Sequence, residues 1–165
     1  MIYLGIDPGL DGAVAAISGN PGDLPPWIVA LDTPTAKDGT KRRYLVADMR
    51  QMLVKLLGGT NGAALCDAYA AIERVHSMPK QGVASSFTFG EGFGLWQGVL
   101  TGLGIPFDLV TPQRWKKTLL DGASKEKDAS RIRAQQLFPT VDLKLKKHHG
   151  RADALLIAEW RRRQG

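Results

Sequence analysis

Apolar residues fall into two kinds of run along this chain: short blocks of strand length and longer stretches with helical spacing. Residues 1–6 and 12–18 read as strands joined by the Pro8-Gly9 turn, and 27–33 as a third beyond the Gly/Pro-rich segment 19–26. These links are too short for crossover helices, which predicts an antiparallel meander. Residues 34–44 read as a polar loop ending in Lys41-Arg42-Arg43-Tyr44. Leu45, Met49, Met52, Leu53 and Leu56 then recur at helical spacing until Gly58-Gly59 stops that helix. Residues 69–75 form a buried strand reached through this helical crossover, so the strand is expected parallel to one of the meander. A long helix is predicted over 83–103 and a fifth strand over 107–110. Helices follow over 112–120, 124–138 (with Ser124 as N-cap) and 151–163. The expected architecture is α/β, a mixed five-stranded sheet with helices on its faces, in one domain spanning 1–165.

The long helix carries Ser86, Gly90, Gly94, Gly98 and Gly102 at every fourth position. Each helical glycine costs about 1 kcal/mol relative to alanine, so the ridge of small residues needs a reason. Two readings stand open. The ridge packs on this domain's own sheet, or it forms a dimer interface.

Composition narrows the class. At 165 residues and 44% hydrophobic content the chain is long enough for a sizeable core. It has no apolar run near the ~20 residues of a membrane span. The N-terminus lacks a charged leader, so no signal peptide is expected. A single cysteine, Cys66, rules out an intrachain disulfide and fits a reducing, cytoplasmic compartment. Its apolar neighbours mark it as a buried thiol rather than a nucleophile. Charge is uneven. Residues 1–113 carry 8 Lys/Arg against 10 Asp/Glu, and residues 114–165 carry 14 against 6, so −2 is followed by +8. A basic last third points to a polyanionic partner.

Three carboxylates each adjoin an apolar run: Asp7 after Ile2–Ile6, Glu73 after Ala70-Ala71-Ile72, and Asp153 before Ala154–Ala158. Each has an ordinary explanation. Asp7 suits a Pro-Gly turn, Glu73 could pair with Arg74, and Asp153 in a helix's first turn complements the dipole. Taken together they fit one cation site better, because an ionised carboxylate against apolar core is costly unless paired or metal-bound. Oxygen ligands select a hard cation such as Mg²⁺. Two such ions about 3.5–4 Å apart activate water and stabilise the leaving oxygen in phosphoryl transfer. His149, four residues before Asp153, shares its helical face if the helix extends that far, and is a candidate fourth ligand. His148 and His149 fit equally a solvated basic loop with Lys144, Lys146 and Lys147.

Ile-Asp-Pro-Gly at 6–9, Ile-Glu-Arg-Val-His at 72–76 and Ala-Asp-Ala-Leu-Leu-Ile-Ala at 152–158, in this order over nearly the whole chain, resemble the RuvC-type Holliday junction resolvases. The Gly150-Arg151-Ala152-Asp153-Ala154 form looks most like phage-encoded members, which would place the protein in a bacterial host's cytoplasm. The resemblance implies the ribonuclease H-like fold. It also implies a homodimer that nicks opposing strands of a four-way DNA junction symmetrically with Mg²⁺ or Mn²⁺, two ions per site, leaving ligatable 5′-phosphate and 3′-hydroxyl ends. Asp7, Glu73 and Asp153 fall on the family's metal ligands. The family's fourth ligand lies three residues before the last Asp, where this chain has Gly150, which leaves His149 as the candidate. The family often places an aromatic wedge three residues after the Glu, where this chain has His76. Residues matching its DNA contacts are His76, Lys80, Arg114, Lys116, Lys117, Lys125 and Lys127.

Rival readings are a non-catalytic branched-DNA-binding module, which the Gly150 departure favours, and a broader flap, fork or hybrid nuclease. An actin-like ATPase is disfavoured, since it needs two such domains and a second phosphate loop.

Overall fold

In the computed structural model, which describes residues 1–19, 27–58, 67–74, 82–120 and 128–165, the first three strands form the expected meander. β1 (Ile2–Asp7) pairs antiparallel with β2 (Ala13–Ser18), and β2 with β3 (Ile28–Asp32). β6 (Ala68–Glu73) lies parallel to β1, and β7 (Phe107–Val110) parallel to β6. The sheet order is therefore β3-β2-β1-β6-β7, with helices on both faces. Alternation along the strands divides the core. Leu4, Ile6, Val14, Ala16, Ala70 and Ile72 pack under α1 (Val46–Leu56) and α2 (Val83–Gly102). Ala13, Ala15, Ile17 and Ala71 pack under α3 (Pro112–Leu119), α4 (Ala129–Leu137) and α5 (His149–Arg162).

Helix α5 is buried continuously from Ala154 to Arg161 and crosses β1 at very close range. A Cβ at Gly5 would overlap the Ala154 carbonyl oxygen and the Ala158 nitrogen. Glycine at position 5 thus lets the helix backbone touch the strand backbone, and this contact fixes Asp153 relative to the end of β1.

Three expectations change, and one of the two open readings of the α2 ridge falls. Residues 35–44 are a hairpin, β4 (Thr35–Asp38) with β5 (Lys41–Tyr44), not a polar loop. Asp38 and Lys41 pair across a two-residue turn whose first residue, Gly39, has φ +61°, a conformation suited to glycine. The ridge glycines do not pack on the sheet. A Cβ at Gly90, Gly94, Gly98 or Gly102 would meet nothing within 4 Å. The buried stripe of α2 runs instead through Gly92, Trp96, Val99 and Leu100. Positions two residues away lie about 200° round the helix, on the opposite face. α4 begins at Ala129 rather than 124, after Asp128; Ser124 lies outside the described residues. α5 begins at His149, reached through a 3₁₀ turn over Lys146–His148, so Asp153 sits one full turn inside it rather than in its first turn. Cys66 also lies outside the described residues. No helix among them is long and apolar enough to cross a membrane.

Candidate active site

Asp7 and Glu73 are the last residues of adjacent parallel strands. The final paired positions are Ile6 and Ile72, which puts the two acids level with each other, one step further on. Both follow a residue that faces α1 and α2, so both side chains turn to the α5 face. α5 starts at this same edge and presents Asp153. Ligands of α/β sheets bind at the carboxyl ends of the strands for this reason: side chains from several elements meet there without filling the core.

Like charges crowd this edge. Burial pushes the Asp7 carboxyl up to about 8, and the charges of Asp153 and Glu73 add to the rise. Glu73 and Asp153 are raised as well, each chiefly by burial. Partners hold them in place. Trp115 donates its indole N–H to Glu73 Oε1 at 2.9 Å, and the Gly9 N–H lies 3.4 Å from Asp7 Oδ1. Glu73 is therefore oriented by Trp115 rather than paired with Arg74. The Lys116 charge favours the ionised form of all three carboxyls. Asp153 Oδ1 is buried with no hydrogen-bond partner. Among the described residues, no group of three or more His, Cys, Asp or Glu side chains is already placed to hold a metal ion. The orphaned oxygen, the all-oxygen donor set and the charge of Asp153 raising both Asp7 and Glu73 fit a hard divalent cation.

His149 lines the same cleft as Asp7 and Glu73, and the start of α5 at position 149 puts it one turn from Asp153. Its Nε2 lies 3.4 Å from Asp128 Oδ1. His148 is buried instead, 4% exposed. Position 150 has no room for a ligand: a Cβ on Gly150 would overlap the Asp11 carbonyl oxygen and crowd Gly12. The neighbouring Arg151 forks onto Asp32 at 2.6 and 2.7 Å and ties the start of α5 to the end of β3.

Asp7 and Glu73 open into a cleft of about 1200 Å³, lined by Leu10–Gly12, by Lys41 and Arg42, and by Val83–Ser85 and Phe87–Phe89 of α2. The hairpin wall was invisible as a site in the sequence, although Gly39-Thr40, with glycine first, suits a two-residue hairpin turn. It is clamped to the loop after Asp7. Arg42 pairs with Asp11, donates to the Leu10 carbonyl at 2.6 Å and to Thr35 Oγ1 at 3.0 Å. Tyr44 is buried, and its hydroxyl, held protonated by a pKa pushed up to about 12, lies 3.3 Å from the carbonyls of both Pro8 and Thr88. Lys37, Lys41, Arg42 and Arg43 are exposed on this hairpin. On α3, Arg114, Lys116 and Lys117 are exposed as expected for phosphate contacts. Arg114 rests over Trp160 at 5.2 Å and Lys116 over Trp115 at 5.0 Å. His76, Lys80, Lys125 and Lys127 lie outside the described residues.

No protein-family model matches the chain. Over 146 residues, 84% of the chain, it is 36% identical to the chloroplastic Holliday junction resolvase MOC1 of Chlamydomonas reinhardtii. The chain spans only 17% of that relative's length. In three dimensions it resembles Thermus thermophilus RuvC in complex with Holliday junction substrate, with a TM-score of 0.66 at 17% identity, covering 97% of this chain and 92% of that one. A second structure of Thermus thermophilus RuvC gives 0.62 at 17% identity, covering 100% and 97%. The fold is that of RuvC, the ribonuclease H-like fold expected from the sequence.

Proposed function

We propose that this chain, a RuvC-fold protein homologous over most of its length to part of a junction resolvase, is itself a RuvC-type Holliday junction resolvase. It acts as a divalent-metal-dependent endonuclease that nicks two opposing strands of a four-way DNA junction and leaves ligatable 5′-phosphate and 3′-hydroxyl ends. The observation that carries this reading is the meeting of Asp7, Glu73 and Asp153 at one sheet edge, beside a cleft with Lys41 and Arg42 on one wall.

Asp7, Glu73 and Asp153 would hold two Mg²⁺ ions, or Mn²⁺ in their place, with His149 as the fourth ligand. Bound divalent ions supply charge that lowers the pKa of an attacking water and stabilises the leaving oxygen. The chain's own residues do the rest. Trp115 fixes the Glu73 rotamer, and the β1–α5 contact fixes Asp153. Lys116 and Lys117, with Arg114 on one side and Lys41 and Arg42 on the other, bind phosphates along the strand path. His76, Lys80, Lys125 and Lys127 are assigned the same DNA-contacting role. Incubation with Mg²⁺ and a labelled synthetic four-way junction, beside duplex, flap, fork and RNA–DNA hybrid, tests the reading. Cleavage confined to the junction is expected; equal cutting of flaps or hybrids would replace it with a broader nuclease. Gly150 favours a second reading, a non-catalytic junction binder, which predicts tight binding and no product at any Mg²⁺ or Mn²⁺ concentration.

Metal should substitute for protons in this site. Asp7, with its pKa raised from 3.8 to about 8, binds its proton more tightly folded than unfolded. The metal-free protein therefore loses stability as pH rises through that window, and Glu73 and Asp153 shift in the same direction. A cation at 100 times its Kd adds about 2.7 kcal/mol, a Tm rise on the order of 5–10 °C for this size. Thermal melts with and without Mg²⁺ should show that rise at pH 8, little at pH 5, and none in Asp7→Asn. Equal shifts at both pH values would contradict a carboxylate site.

The homodimer is assigned to the open ridge of α2, beside a groove lined by Val46, Ala47, Arg50, Gly94, Leu95, Gly98, Val99 and Gly102. A two-fold dimer matches the approximate symmetry of a four-way junction. In sedimentation, Gly94→Leu or Gly98→Leu should yield folded monomers whose two nicks are uncoupled. Gly98→Ala should preserve folding or add up to about 1 kcal/mol. A Gly98→Leu protein that remains dimeric would place the interface elsewhere.

A further inference from the structure

Asp128 stands at the N-cap of α4, where an aspartate ordinarily accepts a hydrogen bond from the helix's own first turn. Its side chain makes no such bond. It serves two other partners instead. Arg131 donates from Nη2 to Asp128 Oδ2 at 3.1 Å, and His149 Nε2 lies 3.4 Å from Oδ1. Arg131 is anchored in turn, with Nη1 3.2 Å from the Leu143 carbonyl and 3.4 Å from that of Lys144. Those carbonyls lead into the 3₁₀ turn over Lys146–His148 and so into His149. One carboxylate thus ties the start of α4 to the approach to α5.

The same turn of α4 also reaches Asp153. Ser130 is hydrogen-bonded to the Asp153 carboxyl. Asp153 Oδ1 is buried with no hydrogen-bond partner, so Ser130 serves the other oxygen. His149 lines the cleft with Asp7 and Glu73 while its Nε2 faces Asp128, so the ring stands between the α4 carboxylate and the cleft. A neutral imidazole has one N–H and one lone pair. An acceptor beside one nitrogen draws the N–H there and leaves the lone pair on the other. Metal-binding histidines ordinarily donate their remaining N–H to a carboxylate or carbonyl in this way. The 3.4 Å contact is longer than a formed hydrogen bond; contacts of this kind are often long before a site is occupied and tighten afterwards.

We propose that Asp128 is a positioning residue of the cation site: it holds His149 with the proton on Nε2, so that Nδ1 is the nitrogen offered to a divalent ion. Asp128 acts through His149 and is not itself a ligand. The inference rests on the reading of Asp7, Glu73, Asp153 and His149 as a cation site. The rival account makes the Asp128–His149 contact an ion pair that competes with the cation for the ring. The two accounts predict effects of opposite sign.

The test measures Mn²⁺ binding, by electron paramagnetic resonance of the free ion, with no DNA present. Asp128→Ala should weaken binding about 10- to 100-fold, as loss of a ligand's hydrogen-bond partner does. Asp128→Asn, which keeps one acceptor oxygen, should recover part of that loss. In a His149→Ala background Asp128→Ala should add nothing, because its effect runs through the ring. Nitrogen-15 spectra of the neutral imidazole in the metal-free protein should show His149 protonated on Nε2 in the wild type and a mixture of tautomers in Asp128→Ala. Unchanged Mn²⁺ binding in Asp128→Ala would overturn the proposal. Tighter binding would do so too, by showing that the carboxylate competes for the ring. A further loss on adding Asp128→Ala to His149→Ala would overturn it by making Asp128 a ligand. Asp7→Asn tests the underlying reading separately. If that variant binds Mn²⁺ like the wild type, the cation site itself fails. If it loses the ion while Asp128→Ala keeps it, only the positioning role fails.

Discussion

Asp7→Asn, Glu73→Gln and Asp153→Asn each lower junction cleavage by on the order of 10³-fold or more, while junction binding survives or tightens. The size follows from the chemistry. A metal ion contributes several kcal/mol of charge stabilisation to the transition state, and each 1.36 kcal/mol is a factor of ten in rate. Binding follows the opposite logic, because three crowded carboxylates repel the phosphate that must lie beside them. Neutral amides of the same shape remove that repulsion and keep the fold. His149→Ala lowers cleavage less and raises the cation concentration required, since it removes one ligand and leaves the carboxylates. Gel-based cleavage and binding measured on the same junction separate the two effects. Near-wild-type nicking by any of the three carboxylate variants removes that residue from the ligand set.

Gly5→Val unfolds the protein or lowers its Tm by more than about 10 °C. Valine is a good strand residue, so local propensity would favour the change. The obstacle is tertiary. Its Cβ would enter the space of the Ala154 carbonyl and the Ala158 nitrogen, both in the backbone of a buried helix that cannot shift without breaking its contacts with β1 and β2. Overpacking a core costs typically 1–3 kcal/mol and more where backbone meets backbone, against a total stability of about 5–15 kcal/mol. Gly98→Ala is the internal control, because the same added methyl meets open space there. Equal thermal stability in the two variants would contradict the close β1–α5 crossing.

Sequence was most informative where one rule governed. Short unbroken apolar blocks gave β1 and β2 as strands, and short links forced the meander. The parallel β6 followed from the crossover helix. The three acids were legible because each ended or opened an apolar run. The hairpin over 35–44 is not legible in the sequence because both its faces are largely polar and its Gly39-Thr40 turn is not flanked by alternating apolar residues. Tyr44, buried in the cluster under α1 and α2, anchors it to the core. The ridge of α2 showed that it was a ridge but not which way it faced. That depended on Gly92, which the four-residue repeat omits and which packs against Pro8 and Tyr44. Gly150 read as a missing ligand, whereas the structure gives a steric reason for it: the turn at Asp11 and Gly12 fills the space a side chain would need.

The most direct test uses a supercoiled plasmid whose inverted repeat extrudes a four-way cruciform. A single nick releases the supercoiling and reabsorbs the cruciform, so the second strand is cut only when both active sites act within the lifetime of one complex. With Mg²⁺, the account predicts linear plasmid as the first major product, closed by hairpin ends that DNA ligase seals. Asp7→Asn should yield none. Nicked circles alone, or an uncut plasmid with the protein bound at the cruciform, would contradict paired resolution by this site.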